Sequence, residues 1–298
     1  MYIGRFAPSP TGPLHFGSLV AAVASYCEAK TNQGKWLLRI EDLDKPREAK
    51  GAANTILRQL EAYGFEWDDN VLYQSQRISY YADALEILSN RRLIYPCTCT
   101  RKEIADSSNN IGIEGVIYPG TCISQAIKMN VPQAWRIKTG LQTISFNDAI
   151  QGKVSQNIRQ DIGDFILKRA DGLFAYQLAV VVDDAAQGIT HIVRGADLLD
   201  STPRQIYLQQ ILNYPHPSYA HVPVVCNEAG EKLSKQTLAS PLDTSKTEIN
   251  LIQALNFLGQ VVPQDLANED KNTIWLWAHD NWQLSKISKT KSLQLVFA

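Results

Sequence analysis

The chain has 298 residues, of which 45% are hydrophobic and 20% charged, and its formal net charge is −1. These values are typical of a globular protein long enough to bury a substantial core, and they exclude a strongly basic surface, so any RNA contact has to rely on a local patch. No apolar run reaches the roughly 20 residues needed to span a bilayer, and the first residues predict a strand rather than a signal peptide, so we expect a cytoplasmic protein without a membrane partner.

The N-terminal eighteen residues predict a strand, a loop rich in proline and glycine, and the start of a helix. Leu19, Ala22, Val23 and Tyr26 follow the loop at helical spacing. A helix that begins after such a loop binds anions, because its first N–H groups lack partners and carry partial positive charge. His15 lies at this helix start, where it could donate to a phosphate oxygen. Taken alone, the pattern fits an ordinary loop histidine equally well.

The next elements continue an alternation of strands and helices. A buried strand is predicted over Lys35–Ile40, and an acidic cluster from Glu41 to Asp44 follows it. Pro46 suits the first turn of a second helix, and a third helix is predicted over Tyr80–Arg91. This order predicts a parallel sheet with functional residues at the carboxyl ends of its strands. The acidic cluster could equally be a solvated loop.

From residue 95 to about residue 160 the pattern changes to short strands and loops, which predicts an insertion within the larger fold. Cys97, Cys99 and Cys122 lie in this stretch. The chain has five cysteines, and an odd number argues against a disulfide framework. Three soft ligands in one loop-rich segment favour zinc, and the alternative is a set of reduced, partly buried thiols.

The alternating pattern resumes after the insertion. Tyr176 begins an apolar run with polar ends, and a strand over residues 189–194 ends in Arg194. Ser201 is predicted to cap a helix, with Pro203 in its first turn. A buried strand over residues 223–226 precedes a loop that contains Lys232 and Lys235. Within residues 248–298, helices are predicted around residues 251–258 and 274–282.

Several segments resemble one known family, among them the runs around Tyr176 and Arg194. Pro8–Gly17 (PSPTGPLHFG) resembles the HIGH element of class I aminoacyl-tRNA synthetases, in the form used by glutamyl-tRNA synthetases, with Phe16 and Ser18 in place of the second and fourth residues of the tetrad. The run RIEDLD, which contains Glu41, is similar to the RIEDTD run of those enzymes. Lys232-Leu-Ser-Lys235 resembles their KMSKS loop. The resemblance covers residues 1 to about 250.

The resemblance implies an α/β fold: a class I synthetase Rossmann-like parallel sheet with an inserted zinc-containing module that resembles an acceptor-binding module, and a small helical C-terminal portion. The domains expected are residues 1–94 and 161–240 for the two halves of the catalytic domain, 95–160 for the insertion and 241–298 for a helical portion like a stem-contact domain. No anticodon-binding domain is expected. A phenolate is an uncommon zinc ligand, but the resemblance implies one structural Zn²⁺ per chain, held by Cys97, Cys99, Tyr118 and Cys122.

The resemblance also implies a site that activates glutamate with ATP and Mg²⁺. Its catalytic residues would be His15, Lys232 and Lys235, and its ATP-binding residues His15, Gly17 and Lys235. Its glutamate-binding residues would be Arg5, Phe6, Ala7, Pro8, Ser9, Glu41, Tyr176 and Arg194. A dicarboxylic amino acid calls for two arginines, one acid and a hydroxyl group. From spacing alone, a core tyrosine and an exposed arginine at a strand end are the alternatives for the last two residues.

The chain ends some sixty residues after the KMSKS-like loop, whereas glutamyl-tRNA synthetases continue with a large anticodon-binding portion. It therefore resembles the short paralogues that transfer glutamate to queuosine at the wobble position of tRNA(Asp), and that grip the anticodon stem-loop with the catalytic core. We also expect a monomer. The alternatives are a truncated synthetase that esterifies a tRNA 3′ end and a non-catalytic RNA-binding relative.

Overall fold

The computed structural model describes residues 1–108, 110–113, 115–124, 130–227, 230–233 and 240–295. The helices are α1 Phe16–Thr31, α2 Ala52–Ala62, α3 Ile78–Asn90, α4 Arg101–Ser107, α5 Ile158–Asp161, α6 Tyr176–Ala186, α7 Thr202–Leu212, α8 Thr247–Phe257 and α9 Lys271–Asn281. The strands are β1 Ile3–Phe6, β2 Lys35–Ile40, β3 Asp68–Tyr73, β4 Ile94–Cys97, β5 Ile111–Gly112, β6 Gly115–Val116, β7 Ala134–Ile137, β8 Thr143–Asp148, β9 Gly152–Asn157, β10 Ile166–Lys168, β11 His191–Gly195, β12 Ser218–Val222, β13 Val224–Cys226 and β14 Ser292–Gln294. Within these ranges, no helix combines the length and apolar character required to cross a bilayer.

Parallel strand pairs form the centre of the fold. β1, β2 and β3 pair in parallel, and so do β11, β12 and β8, with β9 antiparallel at the end of the second group. The Thr190 N–H, just before β11, donates to the Ile3 carbonyl of β1 at 2.9 Å. This contact brings the two groups of strands together, and the predicted α/β class with a parallel sheet is confirmed.

Helix α1 packs its predicted apolar side against the sheet. Tyr26 and the other residues of the predicted stripe are buried. The Tyr26 ring meets Trp36 of β2, Phe65 and Trp275 of α9 in edge-on contacts with centroid distances of 4.9 to 5.3 Å. Aromatic pairs at this separation add to the stability gained from burial alone. The loop before α1 therefore leads into a helix that packs closely against its neighbours.

One of the two predicted helix starts is wrong. Pro46 lies in a separate 3-10 turn, and α2 begins only at Ala52, because Gly51 adopts a left-handed conformation with φ of 76°. Helix α7 starts where it is predicted, with Ser201 as its N-cap residue and Pro203 in its first turn, but the Ser201 side chain makes no capping hydrogen bond. A 3-10 helix runs directly into α7, so the Thr202 N–H already bonds to the Leu199 carbonyl.

The predicted insertion contains the β5-β6 hairpin and strand β7, which pairs antiparallel with β4 at the start of the insertion and with β10 beyond its predicted end. Helix α4 begins with a capping box between Thr100 and Glu103. Strands β8 and β9 also fall within residues 95–160, yet β8 pairs with β12 at Asp148 and Tyr219. The domain limits inferred from the sequence remain a prediction.

Candidate active site

A cavity of about 690 Å³ opens at the carboxyl ends of β1, β2 and β11. The sequence-predicted residues that line it are Arg5, Phe6, Ala7, Pro8, Ser9, His15, Gly17, Glu41, Tyr176, Arg194 and Lys232. Lys235 lies outside the described residues. The chain thus brings residues from distant segments to one cavity, and their individual roles in binding and catalysis remain predictions.

His15 lines the cavity and is the N-cap residue of α1. Its backbone is extended, and its Nδ1 accepts a hydrogen bond from the Ser18 N–H at 3.3 Å, which caps the helix. Because Nδ1 accepts, the proton of the neutral ring is on Nε2, which is therefore a donor. A Cβ at Gly17 would lie 3.2 Å from the His15 ring, so glycine leaves room for the ring here.

Arg5 and Glu41 belong to one buried group of four charged side chains. Asp184 of α6 accepts hydrogen bonds from Arg5 at 3.2 and 3.4 Å and lies 2.8 Å from Arg39. Arg39 also lies 3.4 Å from Glu41. Asp184 and Arg39 were not predicted as site residues from the sequence. The only local signals were that Asp184 ends an apolar run and that Arg39 stands two residues before Glu41.

Arg194 is held by several neighbours behind the cavity. Its Nη2 donates to Thr202 Oγ1 and Gln205 Oε1, both at 2.8 Å, and its Nε donates to His221 Nε2 at 3.0 Å. Its Nη1 lies 3.5 Å from the Tyr176 hydroxyl oxygen, which accepts this long hydrogen bond. Arg194 is only 5% exposed, which rules out an exposed strand-end arginine.

The sequence of the chain matches the family described as tRNA synthetases class I (E and Q), catalytic domain, over residues 3–258. The chain belongs to this class I tRNA synthetase family. A glutamyl-Q tRNA(Asp) synthetase from Dechloromonas aromatica is 54% identical over 295 residues, which cover 99% of this chain and 98% of the relative. A protein of the same name from Neisseria meningitidis serogroup A is 51% identical over 293 residues, or 97% and 98% of the two chains.

Among solved structures, the glutamate-tRNA synthetase of Elizabethkingia anophelis matches with a TM-score of 0.81 at 25% identity, covering 99% of this chain and 68% of that one. The predicted fold and the predicted enzyme class, a ligase-type synthetase related to glutamate and tRNA, are therefore confirmed. This enzyme class also disfavours the non-catalytic alternative.

Lys232, which follows β13 in the chain, lies at the rim of the synthetase cavity. Its Nζ lies 2.6 Å from a carboxylate oxygen of Asp197, which also lines the cavity. The Leu233 N–H donates to the Val225 carbonyl at 2.8 Å, so Leu233 lies against β13. This contact places the start of the predicted KMSKS-like loop beside the cavity.

Three cysteines of the synthetase meet in the insertion. The Sγ atoms of Cys97, Cys99 and Cys122 lie within 4.8 Å of one another. The Tyr118 hydroxyl oxygen is 3.6 Å from the Cys99 Sγ and accepts a hydrogen bond from the Cys122 N–H at 2.8 Å. Three thiols this close together fit the soft donors of a structural metal site, which takes four ligands. The cluster can hold a metal ion.

We expect Cys122→Ser to lose bound metal, because serine is a poor ligand for a soft ion such as zinc. Metal analysis of the purified protein should show zinc falling from near stoichiometric to a small residual amount, with a lower thermal unfolding temperature because metal binding contributes to folding. Cys226→Ser is the control, since Cys226 is a buried thiol outside the cluster. Equal zinc content in the two variants would contradict this assignment.

Proposed function

We propose that this synthetase activates L-glutamate with ATP and Mg²⁺ to glutamyl-adenylate and transfers the glutamyl group to queuosine at the wobble position of tRNA(Asp). The observation that carries the proposal is the convergence of His15, at the start of α1, with Glu41 and two arginines on one cavity. Relatives named glutamyl-Q tRNA(Asp) synthetase, more than half identical over nearly the whole chain, support the choice of acceptor.

In the amino-acid site, the Glu41 carboxylate would pair with the ammonium group of glutamate. The Arg5 and Arg194 guanidinium groups would pair with the two carboxylates, with the Tyr176 hydroxyl beside Arg194. Burial raises the pKa of Glu41 above its ordinary value of 4.5, although Arg39 and Arg5 oppose the rise. A bound ammonium would favour the ionised form, so the cavity gains charge balance when the amino acid binds.

In the first step, a carboxylate oxygen of glutamate attacks the α-phosphorus of ATP, and the bond to pyrophosphate breaks. Mg²⁺ bound with ATP supplies positive charge to the phosphates. The protein contributes position and charge stabilisation through the α1 N-terminus, the His15 Nε2–H and Lys235, and needs no covalent intermediate with glutamate. In the second step, an acceptor group of queuosine attacks the glutamyl carbonyl carbon, and AMP leaves.

The remaining parts of the proposal concern the partner and the insertion. We propose that a cytoplasmic monomer grips the anticodon stem-loop of tRNA(Asp) with the catalytic core. The four-ligand cluster of Cys97, Cys99, Tyr118 and Cys122 would hold one structural Zn²⁺. The Arg136 guanidinium lies 4.0 Å over the ring of Tyr118, which would help to orient the phenol toward the ion.

The proposed activity is tested in two stages. Glutamate-dependent exchange of pyrophosphate into ATP is expected, and its absence would overturn the enzyme assignment for glutamate. Labelled glutamate is then offered to tRNA(Asp) with queuosine, to the same tRNA without it, and to an isolated queuosine-containing anticodon stem-loop. We expect labelling of the first and third substrates only. Labelling that ignores queuosine and requires an intact tRNA 3′ end would favour the truncated glutamyl-tRNA synthetase.

Glu41→Gln is expected to weaken glutamate binding by roughly 10- to 100-fold, because a charge-assisted hydrogen bond to the ammonium is lost. ATP affinity should change little. The raised pKa of Glu41 also predicts that wild-type affinity for glutamate falls as the pH is lowered toward that pKa, since a protonated carboxyl group cannot pair with the ammonium.

Calorimetric titrations with glutamate at about pH 7.5 and about pH 5.5 measure this dependence. In Glu41→Gln the ionisable groups of the ligand still titrate, but the pH dependence of affinity that is due to Glu41 should be lost. Equal pH dependence in both proteins would remove Glu41 from the ammonium site.

A further inference from the structure

We propose that Asp148 and His221 are positioning residues for Arg194. Asp148 holds His221 in a single tautomer, and His221 in turn fixes the direction of the Arg194 guanidinium. The proposal rests on the proposed function, in which Arg194 binds a carboxylate of glutamate. Neither Asp148 nor His221 is among the described residues that line the cavity. Both would act only through Arg194.

The two carboxylate oxygens of Asp148 have different partners: Oδ1 bonds to backbone N–H groups, and Oδ2 bonds to the ring of His221. Its Oδ1 accepts hydrogen bonds from the N–H groups of Ile150, Gln151 and His221 at 2.8 to 3.1 Å. Its Oδ2 lies 2.6 Å from His221 Nδ1, and both side chains are fully buried. Burial opposes ionisation of Asp148, but the hydrogen bonds from His221 and from the backbone outweigh it and hold the pKa of the carboxyl group below its ordinary value of 3.8. The carboxylate is therefore ionised, and Oδ2 accepts the proton of Nδ1.

The opposite nitrogen of His221 meets Arg194. Arg194 Nε donates to His221 Nε2 at 3.0 Å, and because a guanidinium group cannot accept, Nε2 must present its lone pair. The Thr202 hydroxyl lies 3.1 Å from the same nitrogen. Burial lowers the pKa of His221 to about 4, although Asp148 opposes the fall, so the ring is neutral near pH 7. A neutral ring has one proton, and both neighbours require it on Nδ1.

The arrangement anchors Arg194 on two sides. His221 holds Nε, and Thr202 and Gln205 hold Nη2, so Nη1 remains on the side of Tyr176 and the cavity. Carboxylate binding by a guanidinium group depends on the direction of its planar fork. Loss of the anchor at Nε should therefore weaken glutamate binding without touching the ATP side of the cavity.

Asp148→Asn is the sharpest test, because it preserves shape and reverses one hydrogen bond. The three backbone donors keep the amide oxygen at the Oδ1 position, so the amide nitrogen faces His221 Nδ1 and moves the ring proton to Nε2. That proton then opposes the Nε–H of Arg194. In the pyrophosphate-exchange assay we expect the KM for glutamate to rise on the order of 10- to 100-fold, with the KM for ATP within about twofold.

Two variants at position 221 separate positioning from general damage. His221→Gln can place its Oε1 near the Nε2 position and accept from Arg194, so it should stay closer to wild type than His221→Leu, which removes the acceptor. Asp148→Asn added to the Gln variant should have little further effect on the KM for glutamate, because glutamine has no tautomer to reverse. Thermal unfolding of every variant monitors folding.

Nitrogen NMR of the histidine rings tests the tautomer without any substrate. We expect the wild-type His221 to be protonated on Nδ1 and the Asn variant on Nε2. The proposal is overturned if the wild-type proton is on Nε2, if both KM values rise equally, or if Asp148→Asn has the same effect in the Gln background. Wild-type protein that shows the expected tautomer but no glutamate-dependent exchange would instead contradict the proposed function.

Discussion

His15→Ala is expected to raise the activation free energy of glutamate adenylation by about 2–4 kcal/mol, which slows the reaction by roughly 30- to 1,000-fold. The Nδ1 of His15 is engaged by the Ser18 N–H, so Nε2 is the donor that can stabilise charge on the phosphates as pyrophosphate leaves. A preorganised donor at a site of developing charge is typically worth this much. The rate of pyrophosphate exchange at saturating glutamate and ATP measures the effect.

The capping contact of His15 requires its own control. His15→Ala also removes the cap of α1, which costs about 1 kcal/mol in stability. His15→Asn can keep an oxygen near the Ser18 N–H while lacking the distant donor, so it should be as slow as the Ala variant and more stable. A rate near wild type in the Asn variant would limit His15 to a capping role.

The same prediction applies to Lys235, the second lysine of the KMSKS-like motif, which lies outside the described residues. Lys235→Ala is expected to slow activation by a similar factor, because the ammonium group would neutralise charge on the phosphates. Lys232→Ala makes a useful comparison, since the Lys232 ammonium already lies against Asp197 at 2.6 Å. A larger effect at Lys232 than at Lys235 would reverse the order of importance inferred from the motif.

Parts of the cavity could be predicted because the signal is local. His15 and Gly17 fall between a strand and a helix whose periodicities are clear, and Glu41 directly follows a buried strand. The carboxyl ends of neighbouring parallel strands meet at one edge of a sheet, which brings such residues together. The resemblance to a known family then added Tyr176 and Arg194, whose roles spacing alone could not indicate.

The supporting residues could not be predicted in this way. Asp184 meets Arg5 across 179 positions of the chain, and His221 meets Asp148 across 73. A buried charge has no periodic pattern of its own, since its partner is selected by tertiary packing. The missing side-chain cap at Ser201, the N-cap residue of α7, has a related cause, because the preceding 3-10 helix supplies a partner that a local capping rule does not consider.

Asp184→Asn is expected to lower the free energy of unfolding by about 3–5 kcal/mol, because it leaves two buried guanidinium groups with too little negative charge. Asp184, Arg5 and Arg39 are each no more than 3% exposed, so water cannot replace the lost carboxylate. Urea unfolding at pH 7 measures the change. Asp69→Asn is the matched control, since Asp69 pairs with Lys35 at the exposed surface and such a pair is worth about 1 kcal/mol or less.

The pH dependence identifies charge as the cause. Burial opposes ionisation of Asp184, but Arg39 and Arg5 outweigh it and hold the pKa of the folded carboxyl group below its ordinary value of 3.8. A depressed pKa in the folded state stabilises the protein fully above the unfolded pKa of about 3.9, and this stabilisation is lost as the pH falls through the folded pKa. The difference between wild type and Asp184→Asn should therefore be constant from neutral pH down to about 4 and shrink below it. If the difference in unfolding free energy stays constant in stronger acid, the Asn side chain destabilises the protein by disturbing packing. The four-charge group would then not depend on the charge of Asp184 for its stability.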